Sequence, residues 1–373
     1  MFGKIMKILH ILYDGIGNPW FEGGGAIRNQ EIYRRMAKSH EVTILTGAYP
    51  SSEREAVIDG VRYIRIGKGK TAWQSLLSYS SNVFWYKDYK GYDLMIKDLL
   101  PVCPVYTPFL DPRVPVIASI QNLEYYFFKT YGILGILPWL NHELSIRMYK
   151  HYLLTANSMH EMLKGKIHGD ARIAVIPYGV DDGLFNVVPS DENYILYLGR
   201  FDIFHKGLDI LLEAFRIVCK KFPEVKLIFA GGGREDEKLK KLIGELSLAK
   251  KVSFAGRVHG EQKGDLLGRC LMVCMPSRFE SWGIVAVEAG ACGKPVIGTR
   301  IPGLIDSIKD GETGILVPSE KPDLLAEAII NLIKNETERK RLGCNGRLWA
   351  RNFNWDRLAQ EQENFYADVV KAY

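Results

Sequence analysis

The chain of 373 residues lacks any run of the about 18 to 20 apolar residues that a membrane-spanning helix needs. Its longest candidate, YGILGILPWL at 131–140, is too short and contains a proline. A disulfide framework is missing as well. The six cysteines, Cys103, Cys219, Cys270, Cys274, Cys292 and Cys344, are too scattered to staple a chain of this length, which suits a reducing, cytoplasmic setting. Cys270 and Cys274 stand four apart with no histidine or second cysteine pair nearby, so they read as small buried hydrophobes and not as zinc ligands. The opening segment MFGKIMKILHILYDG is basic and apolar but has no small-residue cleavage site, and it reads as a first strand rather than a secretory signal. No repeat of solenoid period and no low-complexity tract is visible.

What is present is an alternation of apolar strands with amphipathic segments. Strands are expected at 7–13, 40–46, 61–66, 94–96, 116–118, 153–156 and 174–176, then more cleanly at 194–198, 226–230, 252–254, 271–275 and 295–299. The length exceeds what one core usually supports. The pattern therefore predicts an α/β protein of two doubly wound, Rossmann-like domains. The turn-rich segment IPYGVDDGLFNVVPSDENY places a hinge near 177–190. The expected division is 1–178, then 179–353, then a terminal helix over 354–373 with Leu358, Phe365 and Val369 at helical spacing.

The stretch SRFESWGIVAVEAGACGKPVIG at 277–298 carries two carboxylates, Glu280 and Glu288, on either side of an apolar run. Gly283 opens a short helix and Gly293 closes it before Pro295. Glu280 falls in the strand-to-helix loop, and Glu288 lies about one and a half turns inside the helix, so the two share no helical face. They suit two tasks along one elongated ligand, with the helix N-terminus between them offering amides and a positive dipole to an anion. A nucleotide diphospho-sugar has that shape. YLGRFDIFHKGLDILLEAF puts Gly199, Arg200, Lys206 and Gly207 at a strand end and helix entry, where a guanidinium fork and an ammonium can meet phosphate. Glycine loops at 23–25 and 231–233 also follow strands, without the spaced pattern of a dinucleotide fold.

In this order, GGGAIRN, IPYGVDDGLF, LGRFDIFHKGLDILLEAF, FAGGG, VSFAGRV, MPSRFESWGIVAVEAGACGKPVIGT and DGETGILVP resemble the retaining glycosyltransferases of glycosyltransferase family 4, the glycogen-synthase-like and mannosyltransferase-like group. The resemblance implies the GT-B fold: two Rossmann-like domains facing a central cleft, with a C-terminal helix crossing back to the first. It implies that Arg200 and Lys206 hold the donor diphosphate, that Glu280 bonds the donor sugar, and that Glu288 takes the nucleotide ribose. It also implies that Gly283 and Ile284 meet the phosphates, that Arg257 and Val258 border the base, and that Gly24 and Gly25 approach the diphosphate from the first domain. The implied reaction moves a sugar from a UDP- or GDP-sugar to a carbohydrate or lipid-linked hydroxyl with retention, by front-face attack and without a metal or other cofactor.

Gln121 stands where many relatives have a histidine, and His10 is a conceivable acceptor-side substitute, although a structural histidine is the plainer reading. Two alternatives follow: a nucleotide-sugar-binding protein with little transfer, and a GT-B sugar-nucleotide epimerase. Charge adds one expectation. Residues 1–178 hold 21 Lys plus Arg against 15 Asp plus Glu, whereas 179–373 hold 28 of each. With the aromatic segments 73–92 and 125–150, which include Tyr125, Tyr126, Phe127, Phe128 and Trp139, this suggests peripheral contact with the inner face of a membrane. No nucleic-acid partner is expected.

Overall fold

The computed structural model describes residues 5–20, 23–86, 89, 91–99, 114–121 and 132–373. Cys103, Tyr125, Tyr126, Phe127 and Phe128 lie outside these. The chain divides into two compact units, residues 1–177 with 355–373, and residues 178–354.

The first unit is built on β1 (Lys7–Ile11), β2 (Glu41–Gly47), β3 (Glu55–Ile58), β4 (Val61–Ile66), β5 (Leu94–Asp98), β6 (Val116–Ile120), β7 (His151–Leu154) and β8 (Arg172–Val175). Their order is β3-β4-β2-β1-β5-β6-β7-β8. Every pairing is parallel except β3 with β4. Strand alternation sorts the side chains of β1. Leu9 and Ile11 join Leu76, Tyr79 and Val83 of the helix Ala72–Trp85 in one apolar cluster, while His10 points to Tyr33 of the helix Gly24–Met36. The helix Trp355–Lys371 packs on Gly24–Met36 and buries Leu358, Gln362, Tyr366 and Val369. Sequence spacing favoured Phe365, yet Tyr366 takes the inward position because its hydroxyl meets that of Tyr33 at 3.0 Å. Arg28 is fully buried there, giving hydrogen bonds to the Ile176 carbonyl at 2.9 Å and to Gln362 Oε1 at 2.8 Å.

The second unit carries β9 (Tyr194–Arg200), β10 (Lys226–Gly232), β11 (Val252–Gly256), β12 (Met272–Met275), β13 (Val296–Thr299) and β14 (Gly314–Val317) in the order β11-β10-β9-β12-β13-β14. All its pairings are parallel. Ile195, Tyr197, Phe229, Met272 and Ile297 of the strands form one core with Leu208, Leu211, Phe215 and Val218, which recur on one face of the helix Leu208–Lys221. The chain leaves β9 toward β10 on one side, and β12 lies on the other. That reversal opens a crevice at the carboxyl ends of the strands, where doubly wound sheets hold their ligands.

Candidate active site

At the reversal, β9 ends in Gly199 and exposed Arg200, whose carbonyl is held by the Tyr197 hydroxyl at 2.8 Å. The end of β10 lies hard against it. A Cβ on Gly231 would overlap the Gly199 carbonyl, and one on Gly233 the Phe201 carbonyl, so the triple glycine is a device for close strand approach. The loop after β9 then folds onto the loop after β12. Arg278 grips Asp209 with two bonds of 2.8 Å and reaches the Phe204 carbonyl at 2.8 Å, while the amides of Arg278 and Phe279 both donate to the His205 carbonyl. Gly207 sits at φ +63 with its Cα against the Pro276 carbonyl, leaving no room for a side chain. These contacts fix Lys206, whose Nζ lies 2.7 Å from Glu280 Oε2. Ser277, buried beneath, adds a bond of 3.4 Å to the same oxygen.

Gly303, at φ +86, lies against the Glu280 carbonyl, and Gly283, at φ +84, caps the helix Ile284–Ala291. Neither site has room for a Cβ. The first amides of that helix have no partner within it. Deeper along it, Glu288 Oε1 lies 2.7 Å from Lys263 Nζ of the helix Gly260–Arg269. Burial acts to depress the Lys263 ammonium, but the Glu288 carboxylate outweighs it and holds the lysine above its usual value. Arg257 is exposed and its side chain passes beside Gly232, while Val258 is buried. The structure thus gathers Gly199, Arg200, Lys206, Arg257, Glu280, Gly283, Ile284 and Glu288 around the strand ends of the second unit. Sequence reasoning overlooked Lys263, whose only signal is a contact 25 positions away.

In the first unit, His10 is fully buried, with Tyr33 on one ring nitrogen at 2.8 Å and Asp98 on the other at 3.0 Å. Gln121 donates its Nε2 to the second oxygen of Asp98 at 2.9 Å, and its Oε1 overhangs Gly25, next to Gly24 at the entry of the helix Gly24–Met36. His10 and Gln121 therefore meet on one carboxylate that sequence analysis did not single out. Among the described residues no group of three or more His, Cys, Asp or Glu is placed to hold a metal, and no helix is long and apolar enough to cross a membrane.

Residues 22–184 match the family model described as Glycosyltransferase Family 4, and residues 185–349 the model described as Glycosyl transferases group 1. An uncharacterized glycosyltransferase of Methanocaldococcus jannaschii is 28% identical over 98% of this chain and 99% of its own length. Phosphatidyl-myo-inositol mannosyltransferase of Mycobacterium tuberculosis is 33% identical, over 52% of this chain and 54% of that protein. Among solved structures, sucrose-phosphate synthase from Thermosynechococcus elongatus superposes with a TM-score of 0.83 at 22% identity, over 99% of this chain and all of that one. Anabaena HepE in complex with UDP and glucose follows at 0.76 and 18%, covering 97% of this chain and 100% of its own. The fold is that of the GT-B enzymes, with two parallel-sheet Rossmann-like domains. The chain belongs to glycosyltransferase family 4 and is a sugar-transferring enzyme.

Proposed function

We propose that the protein transfers a hexose from a nucleoside diphosphate sugar to an acceptor hydroxyl with retention of anomeric configuration. The observation that carries this reading is the placing of two lysine–glutamate pairs, each at 2.7 Å, before and within one helix whose N-terminus opens between them. Each pair holds a carboxylate ready for sugar or ribose hydroxyls, and the amides between them suit a diphosphate. Relatives whose structures hold UDP-glucose or UDP support the donor class.

The chemistry follows from where charge develops. The bond from the anomeric carbon to the phosphate oxygen breaks with its electron pair on the diphosphate, and Arg200 and Lys206 stabilise that charge. The acceptor oxygen bonds to the same face of the carbon and yields its proton to the departing phosphate. These cations supply the charge that a metal would otherwise provide, so the reaction needs no metal ion. Arg257 with Val258 borders the base. Gln121, oriented by Asp98, serves the acceptor side, with His10 fixing Asp98. The acceptor is a glycan or a lipid-linked hydroxyl met at the inner face of a membrane.

A thermal-shift screen against UDP-, GDP- and ADP-sugars tests the donor class without an acceptor. Stabilisation by one of them and an α-linked product from an α-donor are the expected results. A protein that no sugar nucleotide stabilises, or that only epimerises the donor, would sink the proposal.

A further inference from the structure

Trp282 lies between Glu280 and Gly283, and its indole turns inward, only 2% exposed. It stacks on Tyr178, with ring centres 6.0 Å apart and planes within 17° of parallel, and makes a T-shaped contact with Phe353 at 4.8 Å. Phe353 in turn meets Trp349 at 5.0 Å, and the Trp349 indole nitrogen donates to the Ser307 carbonyl at 3.0 Å. Ser307 closes the circuit, because a Cβ on Gly283 would come within 3.0 Å of its hydroxyl oxygen. The turn that opens the helix Ile284–Ala291 is thus ringed by Trp282, Phe353, Trp349 and Ser307. The far end of that helix is fixed as well. Gly290 leaves no gap to the Gly346 backbone of the helix Glu336–Ala350, which also carries Trp349.

Two of the rings that touch Trp282 mark the ends of the second unit. Tyr178 is its first residue and Phe353 its last but one. Val180 gives its amide to the Phe353 carbonyl at 2.8 Å and pairs with Asn354 in a short parallel bridge, so both ends run side by side past the indole. Aromatic pairs settle in discrete offset and edge-on geometries, and close-packed interiors switch between arrangements instead of deforming smoothly. A shift of the turn on meeting a diphosphate therefore reaches Tyr178 and Phe353 through one rigid ring. Filling space would take any apolar side chain, whereas holding both contacts takes a planar one.

We propose that Trp282 is a positioning residue that links the diphosphate-binding turn to both ends of the second unit. A nucleoside diphosphate on the amides of Gly283 and Ile284 then orders residues 178–182 and 351–354, which an empty turn leaves looser. The link rests on the donor assignment made under Proposed function, and hydrogen exchange of the full chain, read by mass spectrometry with and without saturating UDP or GDP, tests it. The wild type should slow exchange in both segments by about fivefold or more when the nucleotide binds. Trp282→Leu should still bind the nucleotide in calorimetry but lose most of that protection, and Trp282→Phe, which keeps a ring between Tyr178 and Phe353, should restore it. Tyr178→Leu leaves the turn untouched and should also lower the protection; it decides the matter if Trp282→Leu fails to fold. Three results would each overturn the proposal: wild type that binds nucleotide without slower exchange in either segment, full protection in a folded Trp282→Leu or Tyr178→Leu protein, or Trp282→Phe no better than Trp282→Leu. Wild type that binds neither nucleotide would instead fail the donor assignment, and the link with it.

Discussion

The two units share one β-α-β grammar but handle polar groups in opposite ways. In the second, Lys206–Glu280 lies half-covered at the strand ends and Lys263–Glu288, its carboxylate buried, along a helix, each ion closed on a single counter-ion. In the first, His10, Arg28, Tyr33, Gln362 and Tyr366 are sealed in a continuous network. Burial pushes the Tyr33 phenol well up, with Tyr366 reinforcing it. A half-covered pair can exchange its partner for a ligand at little cost, whereas a sealed network loses a full desolvation penalty when one member leaves. At its strand ends the second unit keeps ion pairs for exchange, while buried Lys294 and Arg339 on Asp191 serve as framework there; the first unit uses its whole network as framework.

Paired substitutions break or sharpen that contrast. The largest effects should come from removing one cation in each unit. Lys206→Ala should lower turnover about 10²- to 10³-fold, as for loss of a group that stabilises developing charge, with little change in melting temperature. Arg28→Ala should instead destabilise by about 3 kcal/mol or more, by orphaning Gln362 and the Ile176 carbonyl. Parallel measurement of turnover and melting separates them, and a fully active Lys206→Ala enzyme would refute the site.

Acid should act on the first unit. Burial foremost holds the His142 imidazole down at about 4, with Lys166 adding to the shift and Glu143 opposing it. The unfolded chain takes up that proton near pH 6.5, the folded one only near pH 4. Stability is therefore full above about pH 6.5 and falls through that window by on the order of 3 kcal/mol. Denaturant midpoints across the window should show the slope, and His142→Leu should flatten it.

Two glycines give a smaller, cleaner test. Gly207→Ala meets a backbone carbonyl at positive φ and should cost about 2 to 3 kcal/mol. Gly25→Ala meets only the mobile end of Gln121, so it should change stability by less than about 1 kcal/mol while altering acceptor use. Equal melting losses for the two would contradict the rigid loop geometry at Pro276. A change in ligand affinity alone divides the carboxylates. Glu288→Ala should weaken the bare nucleoside diphosphate by about tenfold, and Glu280→Ala only the sugar-bearing donor, each near 1.4 kcal/mol. Calorimetry that finds equal losses on the bare nucleotide would reject this division.

Legibility follows the same divide. Strands buried on both faces read as apolar runs, so β1, β2, β5, β6, β9, β12 and β13 were visible, as was the cap at Gly283. β3 escaped because it is a half-exposed, antiparallel edge, and β14 because its short apolar run opens on a glycine straight out of the turn at 310–313. The strand expected at 153–156 begins two residues earlier, at His151, where pairing with Arg172 of β8 outweighs polarity. Glu280 and Glu288 stood out by local spacing. Lys263 and Asp98 did not, since each acquires meaning only from residues brought in by another element. The helix Ile136–Ile146, which buries His142 and Ser145 and turns Leu137 and Leu144 outward, was equally hidden, because periodicity shows that a helix has two faces without showing which one the sheet will take.

The late position of the helix Trp355–Lys371 has a consequence for biosynthesis. Arg28 waits 334 residues for Gln362, roughly 15 to 70 seconds at about 5 to 20 residues per second. The second unit, one uninterrupted stretch, emerges in full during that interval and can fold beside a neighbour whose pocket for this helix is still open. The half translated first is thus the half completed last, and the nascent chain offers a chaperone its best purchase on the first unit.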